Sequence, residues 1–111
     1  MSQTQPLPAK ADRSPDLDEV DVLTVLQALS DPVRLEIVRQ LASCERDDGL
    51  MCHQIRLSVA KSTASHHLKT LTQAGITVER EVGTSKYLTL RSDELEKRFP
   101  GLLDSVLRAA R

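Results

Sequence analysis

The chain has 111 residues, 40% of them hydrophobic, 28% charged and 2% aromatic. That length builds one small domain and leaves no room for a deep catalytic cleft beside a cofactor domain, and no apolar run approaches the ~20 residues of a membrane span. So few aromatics exclude a base-stacking platform for single-stranded nucleic acid.

The net charge of −1 conceals an asymmetry. Residues 1–52 carry five Lys/Arg against ten Asp/Glu, residues 53–91 carry six against two with all three histidines, and residues 92–111 carry four against four. A basic middle in a near-neutral chain points to one face built for a polyanion.

Residues 1–16, rich in Pro, Ser, Gln and Asp, read as a disordered tail preceding one domain over 17–111. The tail has no apolar h-region, so no signal peptide is expected and the compartment is cytoplasmic. From Leu17 the pattern turns helical: Leu17, Val20, Val22, Leu23, Val25, Leu26, Ala28 and Leu29 are apolar nearly all round, so this helix is buried on two sides. In so short a chain the second side fits another subunit. Ser30-Asp31-Pro32 starts a second helix, a capping side chain followed by proline in the first turn. It runs to about Ala42, with Val33, Ile37, Val38 and Leu41 on one stripe. After a loop at Arg46–Gly49, Leu50, Met51 and Ile55 predict a short third helix of about two turns, and Arg56–Ala60 a turn.

Residues 61–74 predict a fourth helix, ended by Gly75 at the left-handed cap position. Ala64, Leu68 and Leu71 form its apolar face. The opposite face carries Ser62, Ser65, His66, Lys69 and Gln73, with no acidic side chain. His67 falls beside Ala64, Leu68 and Leu71 on the helical wheel, so it reads as a hydrogen-bonded histidine under the helix. The period then changes to two: residues 77–82 and 86–90 flank Gly83-Thr84-Ser85 as a β-hairpin, with Val78, Val82, Leu88 and Leu90 fitting the alternation and Arg80 and Lys86 near its tip or outer face. Ser92-Asp93 caps a last helical segment that Pro100-Gly101 interrupts. Leu102, Leu103, Val106, Leu107 and Ala110 then resume a strong apolar stripe.

Three helices, a basic fourth helix, a hairpin and a last helix follow the order of a winged helix-turn-helix, mainly α with a small β-hairpin. LQALSDPVRLEIVRQLA (26–42), followed by AKSTASHHLKTLTQAGI (60–76) and the glycine-bearing hairpin, resembles the ArsR/SmtB-type bacterial repressors over about residues 20–107. The resemblance implies a homodimer that binds an imperfect inverted repeat in double-stranded DNA. It places the dimer interface on the first and last helices, here Leu23, Leu26, Leu103, Val106 and Leu107. The chemistry of the residues agrees, because a helix in the major groove needs donors for base edges and cations for phosphates. Ser62, Thr63, Ser65 and His66 supply the donors. Lys61, at the helix N-terminus, and Lys69 supply charge for phosphates, and Arg80 and Lys86 reach the flanking backbone from the wing.

The family's usual effector is a metal ion. One familiar site is a Cys-x-Cys pair at the start of the third helix. Here those positions are Met51 and His53 with Cys52 between them, and consecutive helical residues fan apart by about 100° each. A second familiar site uses His and carboxylates on the last helix, whereas residues 92–111 contain no His and no Cys. No metal ligand and no cofactor are assigned. A non-standard site from Cys44, Cys52 and His53 stays open, as does the reading of both cysteines as inert small apolar side chains. The reading carried forward is redox sensing. Cys44 follows the second helix and Cys52 falls in the first turn of the third, where helix N–H groups and the cations Arg46 and His53 favour a thiolate. A Cys44–Cys52 disulfide would pin the loop feeding the fourth helix. An enzyme, such as a small thiol oxidoreductase, is disfavoured because no Cys-x-x-Cys lies on a βαβ pattern and no Ser/His/Asp or carboxylate pair sits in a plausible pocket. A winged helix that contacts only proteins is disfavoured by the basic charge of residues 53–91.

Overall fold

The computed structural model describes residues 14–44, 49–51 and 54–110. A short 3-10 turn at Leu17–Glu19 leads into α1 (Val22–Leu29) and α2 (Pro32–Ala42). Strand β1 (Leu50–Met51) precedes α3 (Lys61–Gln73), the hairpin β2 (Thr77–Val82) and β3 (Ser85–Leu90), and then α4 (Ser92–Arg98) and α5 (Leu102–Ala109). The three strands form one antiparallel sheet in the order β1-β3-β2. Helices packed around α3, with the hairpin as wing, make a winged helix-turn-helix.

The second helix starts as its sequence dictates. The Asp31 side chain accepts from the backbone N–H groups of Val33 (2.9 Å) and Arg34 (3.1 Å), and Pro32 occupies the first turn, where its missing N–H costs nothing. Its stripe reaches the core: Ile37, Val38 and Leu41 are buried and Val33 half-buried. They meet Val25, Ala28 and Leu29 of α1, Leu71 and Ile76 around the end of α3, Leu88 of β3 and Leu95 of α4.

Four expectations need correction. The first helix begins at Val22, five residues after Leu17. Asp16 takes the N–H of Asp18 into a 3-10 turn, Val20 is extended, and Arg98 of α4 donates to the carbonyls of Leu17 and Val20, both at 3.2 Å. Ser14, Pro15 and Asp16, expected to belong to the tail, are held against the fold. Arg91 Nη1 donates to Ser14 Oγ and to the Pro15 carbonyl, both at 2.6 Å, and Ser14 Oγ donates to the Thr72 carbonyl at 3.4 Å. Leu50 and Met51, expected to open a helix, pair instead with Leu88 and Tyr87 of β3, and Ile55–Ala60 runs through bends. Ser92 lies inside α4, whose preceding residue, Arg91, makes no side-chain cap.

The hairpin register pairs Thr77 with Leu90, Glu79 with Leu88, Arg80 with Tyr87 and Val82 with Ser85. Directly opposed residues share a face and successive residues alternate. The face turned to the core therefore carries Thr77 and Leu88, both fully buried. Val78 and Val82 lie on the other face, and Val82 is exposed.

Candidate nucleic-acid interface

The chain locks α3 at its C-terminal end. Gly75 has φ +81°, and the N–H of Ile76 reaches the Leu71 carbonyl while that of Gly75 reaches Thr72, both at 3.1 Å. This is a Schellman ending, with Leu71 and Ile76 both buried as its apolar contact. A Cβ on Gly75 would stand 2.7 Å from Leu17 Cδ2, so glycine also admits the N-terminal segment. Thr72 Oγ1 and Thr77 Oγ1, 2.9 Å apart and buried, tie the helix to β2.

What remains outside is the face singled out in the sequence. Lys61, Ser62, Thr63, Ser65, His66 and Lys69 are all exposed, while Ala64 and Leu68 are half-buried. No acidic residue occurs in α3, and no side chain caps its first N–H groups. The surface is one of donors and positive charge, with the partial positive end of the helix beside Lys61. An open cleft of about 680 Å³, floored by Ile55, Leu57 and Leu68, lies between this face and the hairpin turn, where Lys61, Ser65 and Lys86 edge it.

The wing divides its cations. Lys86 opposes Glu81, and it pairs with the Glu79 carboxylate at 3.4 Å. Arg80, opposite Tyr87, is exposed on the other face of the hairpin. The two residues, expected to act together, belong to opposite faces of one ribbon.

Residues 29–81 match the helix-turn-helix domain family. The chain is also 37% identical, over 84 residues, to an uncharacterized HTH-type transcriptional regulator, YceK, of Bacillus subtilis (strain 168); the aligned segment is 74% of this chain and 82% of that protein. The chain belongs to the helix-turn-helix transcriptional regulators. The matched residues of this regulator run from the end of α1 through α2 to the exposed helix α3 and most of β2; α3 is the helix that carries the donor face.

His67 lies under that helix, as its place on the wheel predicts. Its Nδ1 stands 3.1 Å from Arg34 Nη1 and 3.8 Å from Asp31 Oδ2, and its side chain is 12% exposed. Burial raises the Asp31 carboxyl, but the backbone N–H groups of Arg34 and Val33 and the nearby His67 and Arg34 outweigh it and hold the group below its ordinary value. Several positioning residues escaped the sequence reading. Arg34 joins α1, α2 and α3. Gln40 exchanges two hydrogen bonds with the backbone of Arg56, at 2.9 and 2.8 Å, and so fixes the segment leading to α3. Arg91 and Arg98 hold the N-terminal segment. Exposed-looking polar residues on an amphipathic pattern carry no signal of such long-range bonds.

Cys44 follows α2 as expected. It is half-buried beside Arg39, Gln40 and Arg56 in a shallow groove, with its N–H on the Leu41 carbonyl at 3.1 Å. Cys52, Arg46 and His53 lie outside the described residues, and Leu50 and Met51 form a strand where the helix meant to hold Cys52 was expected to begin. Among the described residues no three His, Cys, Asp or Glu side chains form a metal-binding group. No helix among them is long and apolar enough to cross a membrane.

Apolar side chains are left uncovered or partly covered on α1 and α5 of the regulator. Leu23 is 61% and Leu26 40% exposed, with Val22 beside them on α1. On α5, Leu103, Val106 and Leu107 are half-buried against the core, and no residue of that helix is fully covered.

Proposed function

We propose that this regulator is an ArsR/SmtB-type repressor that binds an inverted repeat in double-stranded DNA as a homodimer, in the cytoplasm, with no cofactor. The observation that carries the reading is the exposed face of α3, which presents six donors or cations and no carboxylate. In the major groove, Ser62, Thr63, Ser65 and His66 face base edges, and Lys61 and Lys69 meet phosphates. Lys86 and Arg80 contact the flanking backbone from the two sides of the wing. The Lys86–Glu79 pair does not block this, because an exposed ion pair contributes only about 0–1 kcal/mol and a phosphate can replace the carboxylate. Leu23 and Leu26 of α1, with Leu103, Val106 and Leu107 of α5, form the surface for the second copy. The exposure of Leu23 and Leu26 and the incomplete burial of the three α5 residues in a single chain support that assignment.

Release is triggered by oxidation: the thiols of Cys44 and Cys52 give two protons and two electrons to an oxidant and form a disulfide. What supports this is the pair of cysteines separated by seven residues of sequence, with Cys44 partly accessible beside Arg39 and Arg56.

The test selects DNA from a random pool with wild-type protein and measures binding of the winners by gel shift. Lys69→Ala is expected to weaken binding to all sequences alike and to lower the salt slope by about 1 per lost phosphate contact, and His66→Ala to relax specificity by about 1–3 kcal/mol at its position. If both variants bind as the wild type does, α3 is not the reading helix.

A further inference from the structure

Arg34 touches three helices at once. Its Nε donates to the Ala28 carbonyl at 2.7 Å and its Nη2 to the Gln27 carbonyl at 3.3 Å. Both carbonyls belong to the last turn of α1, where helical partners run out and the partial charge is negative, so a cation belongs there. Its Nη1 points to Nδ1 of His67, 3.1 Å away in the middle of α3. Its own N–H is held by the Asp31 carboxylate that caps α2. A guanidinium has donors only. Where Nη1 donates across this 3.1 Å approach, Nδ1 of His67 is the acceptor and the ring N–H is on Nε2. The planar fork that meets two carbonyls and a ring nitrogen together is one a lysine cannot reproduce.

We infer that Arg34 is a positioning residue, which carries the placement of α1 to the recognition helix through Nδ1 of His67 and so sets DNA affinity without touching DNA. This rests on the reading of α3 as the DNA-reading helix. The neighbouring residue, His66, is on the exposed face of α3, its ring centroid 5.8 Å from that of His67. A shift of His67 under the helix is thus a shift of the reading surface above it. On the other side, α1 carries Leu23 and Leu26, so the same guanidinium links the face offered to a second copy with the face offered to DNA.

The experiment uses the full chain and the DNA it selects. Nitrogen-15 NMR of the histidine side chains should find His67 with its proton on Nε2 in the wild type and should lose that signature in Arg34→Gln. By gel shift, Arg34→Gln should bind about 3- to 30-fold more weakly while remaining folded and dimeric, and Arg34→Lys should recover little of the loss. The inference is overturned if Arg34→Gln is folded and binds like wild type or if His67 carries its proton on Nδ1. If Lys69→Ala loses affinity while Arg34→Gln does not, the DNA reading stands and this one falls. If the wild type selects no DNA, both fall together.

Discussion

The cap of α2 gives a quantity that can be worked from the structure. Asp31→Ala removes an acceptor that holds two backbone N–H groups, those of Val33 and Arg34, at 2.9 and 3.1 Å. Loss of such a cap costs about 0.5–2 kcal/mol, with about 1 kcal/mol typical. For a domain of this size each kcal/mol lowers the melting temperature by roughly 4–8 °C. Asp31→Ser restores an acceptor without the charge and should recover most of the loss. The pH dependence has a defined sign. The folded carboxyl is held below its ordinary value despite its burial, by the N–H groups of Arg34 and Val33 and by the neighbouring His67 and Arg34. Its contribution is thus complete above the unfolded value of about 3.9 and is lost as pH falls from there through the lower folded value. Melting followed by circular dichroism near neutral pH should separate wild type and Asp31→Ala by several degrees, and the gap should narrow below about pH 4. A gap under about 1 °C near neutrality, or one that stays constant into acid, would refute the reasoning.

Leu107→Glu should give monomers in sedimentation, since burying a leucine contributes about 1.5–3 kcal/mol; a dimer with native DNA affinity would move the interface elsewhere. Gly49→Ala should destabilise the fold by more than about 1 kcal/mol, because φ is +81° and the new Cβ would run into the Leu88 carbonyl oxygen and stand 2.7 Å from Thr89 Oγ1. Urea denaturation checks it, and an unchanged midpoint would mean that the β1–β3 contact does not form. Diamide or peroxide should release the wild type from DNA, and reductant restore binding, while Cys52→Ser stays bound. Release of Cys52→Ser by oxidant would remove the thiol trigger, and release by zinc, cadmium or arsenite with thiols reduced would replace it with a metal.

The parts of the fold readable from sequence were those set by near neighbours. Asp31-Pro32 begins α2, Gly75 closes α3, and Gly83 turns the hairpin, because each acts within a few residues of itself. His67 was placed under α3 by helical spacing alone. Distant partners decided the rest. Leu50 and Met51 look helical beside Ile55, yet Leu88 and Tyr87, more than thirty residues away, draw them into a strand. The carbonyls of Leu17 and Val20 turn toward Arg98, which stops the first helix from starting at Leu17. Thr77, a polar residue that alternation did not mark as core, is buried because Thr72 answers its hydroxyl. On the candidate interface, the exposed residues of α3 were legible as a set, whereas the guanidinium beneath them was not, since nothing local links Arg34 to His67.

Among the described residues the sheet order leaves the six-residue strand β2 at an edge. Such an edge invites another chain to add a strand. At its centre lie Glu79, Arg80 and Glu81, and a second copy pairing there in antiparallel register about Arg80 would oppose arginine to arginine. The charge alternation thus works against self-association of the wing. Arg80 then serves solubility. An Arg80→Val variant, which would join Val78 and Val82 into one uninterrupted apolar face, would favour aggregation of the protein into extended β-structure.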